Sequence, residues 1–533
     1  MTGTEKTPTG NTLTVPQYLW DKDPDLDDAL HNPDIRDTKG DASFAVFSAR
    51  GWANAGALFI IVVGLIALFA GYPVIWHYTH LPPPITGFNL GGINGSGQIP
   101  DLPGLPLLID KDTPSSALTR TGSDGQKYNL VFSDEFNQDG RSFYPGDDPY
   151  WEAVDLHYWP TGDLEWYDPS AITTQNGKLV ITLSEINNHD LNFQSGMMTS
   201  WNKLCFTTGY IEVSVSMPGS PTAPGLWPAV WTMGNLGRAG YGATTEGMWP
   251  YSYAACDLGT FLNQTAKDGT PAIAATGSPD GTPLSFLPGQ RVSACTCPGS
   301  DHPGPNVQTG RGVPEIDIFE TQVDVSVFRG QVSQSLQIAP YDYQYQFFNN
   351  TPATTIQDPT ITKFNTYKGS VYQQAASAVS YIPSDIYNDQ GYAPYGFEWW
   401  SNPSSRNEGY VTWYSNGQST WTATSASIGL DSITQVSQRL ISEEPMYIVF
   451  NLGLSPGFQK QDFMHLQFPS KMYIDYVRVY QRAGVTNGVT CDPPSHPTAN
   501  YINSHIQAYS NPNLTTWSQA GYTFPRNSLY DGC

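Results

Sequence analysis

The chain has 533 residues, enough for more than one domain. Its 48 Asp and Glu outweigh 25 Lys and Arg and leave a formal charge of −23, and because phosphate binding needs clustered cations, this balance excludes nucleic acid as a partner. The 50 Gly, 43 Pro and 13% aromatic residues suit short strands joined by many loops.

In chain order, residues 1–51 are polar and acidic, with Asp21, Asp23, Asp25, Asp27 and Asp28 clustered, and read as a disordered cytosolic tail. Residues 52–76 read as a transmembrane helix. No charge occurs from Ala55 to Ile75, and Trp52 and Trp76 take the interfacial positions that indole rings favour. About 20 apolar residues are what a helix needs to cross a bilayer core of ~30 Å. A cleaved signal peptide would carry its apolar run near the N-terminus, whereas here a long polar stretch comes first. Arg36, Lys39 and Arg50 precede the helix and no Lys or Arg follows it until Lys111, so the N-terminus is expected in the cytosol. The expected product is a single-pass type II membrane protein of the secretory pathway, with everything after the helix lumenal or extracellular.

Cysteines and sequons agree with that direction. Cys205, Cys256, Cys295, Cys297, Cys491 and Cys533, and the glycosylation sequons at Asn94, Asn263, Asn349 and Asn513, all follow the helix. Six cysteines allow fifteen pairings; Cys295 and Cys297 are too close to pair with each other, so each is expected to have another partner. A metal site from Cys256, Cys295, Cys297 and His302 matches no familiar zinc spacing, so neither metal nor cofactor is expected.

Residues 77–126, rich in Pro and Gly, read as a stalk. From 127 to 483 short β-type runs recur, at 128–132, 178–183, 209–217, 315–319, 410–414, 446–451 and 472–480, without helical periodicity. Ile211, Val213, Val215 and Met217 alternate with polar residues, as on a strand with one buried face. The expectation is an all-β sandwich or barrel. A cysteine-containing insertion at 234–312 would sit beside the site, since long ordered loops tend to be functional, and 484–533 would wrap the sandwich.

The chemistry concentrates in Glu315-Ile316-Asp317-Ile318-Phe319-Glu320. On a regular strand Glu315 and Asp317 share one face while Glu320 would join the isoleucines in the core, where an unpaired carboxylate is heavily penalised. A single β-bulge near Ile318 or Phe319 returns Glu320 to the face of Glu315. Two glutamates so placed suit a retaining glycosidase, one attacking the anomeric carbon and the other, kept protonated, donating to the leaving oxygen. The bland alternative is an acidic edge strand facing solvent. Aromatic platforms for a sugar cleft are available at Trp227 and Trp231, at Trp166 within Glu165-Trp166-Tyr167, and at Trp399 within Phe397-Glu398-Trp399-Trp400.

The stretches 314–320, 225–231, 445–452 and 472–480 resemble the hallmark segments of family-16 glycoside hydrolases, the laminarinases and their relatives. The segments 195–203, 249–253, 293–299 and 333–340 are similar to the fungal β-glucan synthesis-associated membrane proteins. The resemblance implies a concanavalin/laminarinase-like β-jelly-roll sandwich behind one N-terminal transmembrane helix, with Glu315 as nucleophile, Asp317 as its helper, Glu320 as acid/base and Trp231 lining the cleft. It further implies a role in cell-wall β-1,6-glucan, with β-glucan polysaccharide or oligosaccharide as partner. Laminarinases usually carry a histidine on the strand after the acidic one; here Gln337 or Gln334 stands in that region, and an amide cannot titrate. Two readings follow: a retaining β-glucan glycosidase or transglycosylase, and a glucan-binding assembly protein with little turnover. A lectin or transport factor unrelated to glucan is a third. No protein partner is indicated.

Overall fold

The alternation of Ile211, Val213 and Val215 is realised in the strand Gly209–Ser216, whose apolar side chains are fully buried. The computed structural model describes residues 3–6, 12–15, 49–79 and 107–533. They fall into two compact units, Met1–Pro84 and Ile85–Cys533.

In the first unit, Gly3–Lys6 pairs antiparallel with Thr12–Val15, within the stretch expected to be disordered; residues 16–48 lie outside the described residues, as do 80–106, with Asn94 and most of the expected stalk. The helix runs through Ala49–Ile66, a π-helical turn Ala67–Gly71 and Tyr72–Thr79. Its segment Trp52–Trp76 is the one helix among the described residues long and apolar enough to cross a membrane. At ~1.5 Å per residue, its 25 residues reach beyond a ~30 Å bilayer core.

The second unit is an all-β sandwich. One large sheet runs in the order Thr362–Phe364, Gln373–Tyr381, Arg329–Ile338, Glu315–Asp324, Trp227–Gly234, Met446–Gly453, Met197–Thr199, Glu152–Ala153. The other runs Thr354–Ile356, Gln418–Thr424, Tyr410–Ser415, Ala393–Trp400, Gly209–Ser216, Ser470–Arg482, Lys127–Asp134, Thr119–Thr121. Between them Ile316, Ile318, Phe319 and Leu336 of the first sheet meet Val213, Phe397, Trp399 and Val479 of the second in one apolar core. The sandwich begins earlier than residue 127. Thr119–Thr121 pairs with the strand Lys127–Asp134, and Arg120 makes a 3.0 Å ion pair with the buried Glu398. An edge strand of three residues has no period to read, which hid it among the expected stalk.

The far face of the first sheet is covered in part by the insertion and the C-terminal segment. The insertion carries a short helix, Gly242–Thr245, and is stapled internally by Cys256–Cys295. Cys297–Cys533 ties it to the C-terminal segment and Cys205–Cys491 ties that segment to the sandwich. The buried Arg291 guanidinium donates to the carbonyls of Ala243, Thr244 and Glu246 at 2.8–3.0 Å and lies 3.7 Å over the Trp517 ring. The same cation thus satisfies the orphan carbonyls of the short helix and holds the C-terminal segment against it.

Candidate active site

The acidic strand Glu315–Asp324 lies between Trp227–Gly234 and Arg329–Ile338. Toward the first neighbour, Val230 pairs with Phe319 and Trp231 with Asp317, leaving Ile318 unpaired. Toward the second, Ile316 pairs with Leu336 and Glu320 with Ser333, so four steps on one strand match three on the other. Ile318 is therefore the extra residue of a bulge. Ile316, Ile318 and Phe319 all enter the sandwich core, and Glu320 turns to the face of Glu315.

A bulge frees backbone groups from the ladder, and side chains take them here. Trp413 Nε1 donates to the Asp317 carbonyl at 2.8 Å. Gln334 Nε2 donates to the Ile318 carbonyl at 2.9 Å and to the Tyr414 carbonyl at 3.0 Å, while its Oε1 accepts from Thr420 at 2.8 Å. A buried carbonyl left unpaired costs about 1–3 kcal/mol, so these bonds hold the kink in place. Gln334 is thus not a cleft residue as expected. It points into the core with Val332 and Leu336 and braces the bulge from behind.

Glu315 and Glu320 line one cavity of about 1000 Å³, at the upper end of the range for small-molecule sites. Trp227, Trp231 and Gln337 line it with them, whereas Asp317 is buried behind the floor. Trp249 Nε1 donates to Glu315 Oε2 at 2.6 Å, Trp227 Nε1 donates to Glu320 Oε1 at 3.0 Å, and Gln337 Nε2 donates to Asp317 Oδ2 at 3.0 Å. Burial, then the neighbouring Glu320 charge, raises Glu315 from its ordinary 4.5 to about 7, against the pull of the Trp249 and Asp317 hydrogen bonds. Burial and the charge of Asp317 push Glu320 well above the usual carboxyl range, against the Trp227 bond. Asp317 is raised by burial, by the Glu315 charge and by its hydrogen bond to Glu315, against the pull of the Gln337 bond.

Two other expected platforms lie elsewhere. Trp399 is fully buried in the core, where its Nε1 donates to the Ser442 carbonyl at 3.0 Å; it shares the inward face of its strand with Tyr395 and Phe397. Trp166 sits on a separate three-stranded sheet, stacked on His189 at 3.8 Å and bonded to Asp155 at 2.7 Å. Strand alternation gives the cavity its neighbour Tyr167 instead.

The profile of the family "Beta-glucan synthesis-associated protein SKN1/KRE6/Sbg1" matches residues 17–533. The chain belongs to this family. The beta-glucan synthesis-associated protein SKN1 of Saccharomyces cerevisiae is 43% identical over 95% of this chain and 66% of its own length. The protein KRE6 of the same yeast is 42% identical over 95% of this chain and 68% of its own length. The chain thus spans about two thirds of the length of these relatives. Among solved structures, the endo-β-1,3-glucanase of Pyrococcus furiosus aligns with 70% of this chain and 99% of its own at 17% identity and a TM-score of 0.41.

This member of the SKN1/KRE6/Sbg1 family builds its cavity partly from residues the motif analysis did not select as site residues. Trp249 comes from the insertion and reaches Glu315. Asn451 accepts from Trp231 Nε1 at 2.8 Å and donates to the Tyr167 hydroxyl at 3.2 Å, which in turn donates to Asp163 at 3.0 Å. Burial raises Asp163 to about 6, and raises Glu165 beside it. Phe458 stacks on Trp227 at 4.2 Å. Asn451 had a readable signal, as a lone amide within the apolar strand Met446–Gly453; Trp249 had none beyond its place in the insertion.

Proposed function

We propose that the chain is a retaining β-glucan glycosidase or transglycosylase of fungal cell-wall β-1,6-glucan assembly, anchored through Trp52–Trp76 with its sandwich lumenal or extracellular. The observation that carries this reading is the bulge at Ile318, which sets Glu315 and Glu320 on one face of one strand in one cavity. Burial raises both carboxyls, so a protonated donor of the kind a double displacement needs is at hand. Glu320 gives its proton to the glycosidic oxygen as a Glu315 oxygen attacks the anomeric carbon and the bond to the leaving sugar breaks. Glu320, now ionised, takes the proton of a water or sugar hydroxyl whose oxygen attacks the same carbon and releases Glu315. Asp317 hydrogen-bonds Glu315 as its helper and Trp231 floors the sugar site. The described sequons Asn263, Asn349 and Asn513 are exposed and all six cysteines are paired, as suits an oxidising compartment. The beta-glucan names of the relatives support the substrate class.

A second reading, a glucan-binding assembly protein with little turnover, is favoured by Gln337, whose amide replaces a titratable group beside the acids. Incubating the protein with defined β-1,3 and β-1,6 gluco-oligosaccharides, and following product masses, separates the two. New chain lengths that vanish in Glu315→Gln support the enzyme; unaltered products in that variant remove the mechanism, and binding without products leaves the second reading.

A further inference from the structure

Gln337 stands opposite Glu315 in the antiparallel ladder, so the two side chains emerge side by side on the cavity face. Its amide nitrogen donates to Asp317 Oδ2 at 3.0 Å, and Trp249 donates to Glu315 Oε2 at 2.6 Å. The Asp317 contact fixes which way the amide faces, with nitrogen to Asp317 and oxygen away from it. Gln337 is only 7% exposed, and its Oε1 accepts nothing from the protein. Among the described residues, every other buried side-chain atom without a partner belongs to a residue outside this cavity. Polar neighbours on the same wall satisfy one another instead: Ser335 donates to Ser377 at 2.8 Å, Ser370 to Gln373 at 2.7 Å and Gln373 to the Tyr367 hydroxyl at 3.0 Å. A lone buried acceptor in the wall of a ligand-sized cavity calls for a donor that arrives with the ligand.

We propose that Gln337 Oε1 is a specificity-determining acceptor for one hydroxyl of the glucosyl unit held over Glu315, an inference that rests on reading the cavity as a β-glucan site. The amide binds that hydroxyl without taking its proton or altering the charge of the acids beside it. A sugar lacking the hydroxyl leaves the oxygen buried and unpaired, and a site built around a hydrogen bond rejects such analogues more sharply than an apolar pocket rejects a missing methylene.

The test is equilibrium binding of a β-gluco-oligosaccharide and its mono-deoxy analogues to the full chain, as wild type, Gln337→Leu and Gln337→Glu. One mono-deoxy analogue is expected to bind wild type about 10- to 100-fold more weakly than the parent sugar. Gln337→Leu brings parent and analogue to within about twofold of each other, and Gln337→Glu, which keeps an acceptor oxygen, restores part of the difference. A structural role alone would weaken all analogues together. Discrimination retained in Gln337→Leu overturns the inference, as does wild type that binds the parent and every analogue alike; in both cases the glucan reading stands. Wild type that binds no gluco-oligosaccharide removes the glucan reading and this inference with it.

Discussion

The amide N–H of Gln334 meets the carbonyl oxygen of Ile318 at 2.9 Å, replacing the ladder bond that the extra residue of the acidic strand takes away. Gln334→Leu keeps the volume but leaves the carbonyls of Ile318 and Tyr414 short of a donor, and Thr420 short of an acceptor. The expected loss is about 1–3 kcal/mol of stability, read as a lower melting temperature by calorimetry, together with loss of whatever turnover the wild type has. Turnover should fall by more than the melting shift explains, because relaxing the kink moves Glu320.

Glu315→Gln and Glu320→Gln should differ by leaving group. Without its acid, the Glu320 variant loses about 10²- to 10⁴-fold on natural oligosaccharides yet cleaves an activated aryl glucoside, whose leaving group needs no proton. The Glu315 variant is inert to both. Steady-state rates on the two substrate types check this.

The pH profile has a defined sign. In the proposed mechanism turnover needs Glu315 ionised and Glu320 protonated, so kcat/KM falls on the acid side as pH drops through about 7 and on the alkaline side as Glu320 loses its proton. The Trp249 hydrogen bond lowers Glu315, so Trp249→Phe moves the acid limb to higher pH. A pH series on both proteins reads the displacement.

Stability should run the other way. Burial raises Glu315 from 4.5 to about 7, so between those values the folded chain keeps a proton that the unfolded chain has lost. Stability therefore declines as pH rises across that window, with no further loss from this group above it. Glu315→Gln abolishes this decline. Its melting temperature should gain on wild type from below pH 4.5 to above 7, as a thermal series across that range would record.

Cys297 and Cys533, 236 residues apart, hold the C-terminal segment over the insertion that delivers Trp249. Replacing both with serine should cost about 2–5 kcal/mol. Protease cleavage beyond residue 484 should appear before the sandwich is cut, and oligosaccharide affinity should fall with it.

The sandwich, the apolar helix and the need for a kink beside Ile318 were legible because each rests on local period and the cost of burying charge. The errors concern side-chain direction. Tyr395, Phe397 and Trp399 recur every second residue and mark an inward face, as do Val332, Gln334 and Leu336; counting aromatic and amide residues without that alternation placed Trp399 and Gln334 in the cleft. Trp166 and Tyr167 were separated only by which neighbour faces the cavity. Trp249 meets Glu315, and Asp163 and Asn451 line the same cavity, through long-range topology, and no window of sequence around Glu315 contains them.

The kink of the acidic strand is one codon long, because between Glu315 and Glu320 Ile318 alone lacks a partner on the strand Trp227–Gly234. An in-frame deletion of Ile318 would close the ladder with Asp317 against Trp231, Phe319 against Val230 and Glu320 against Ala229, so the strand would lose its kink and one core side chain while Glu320 kept its face.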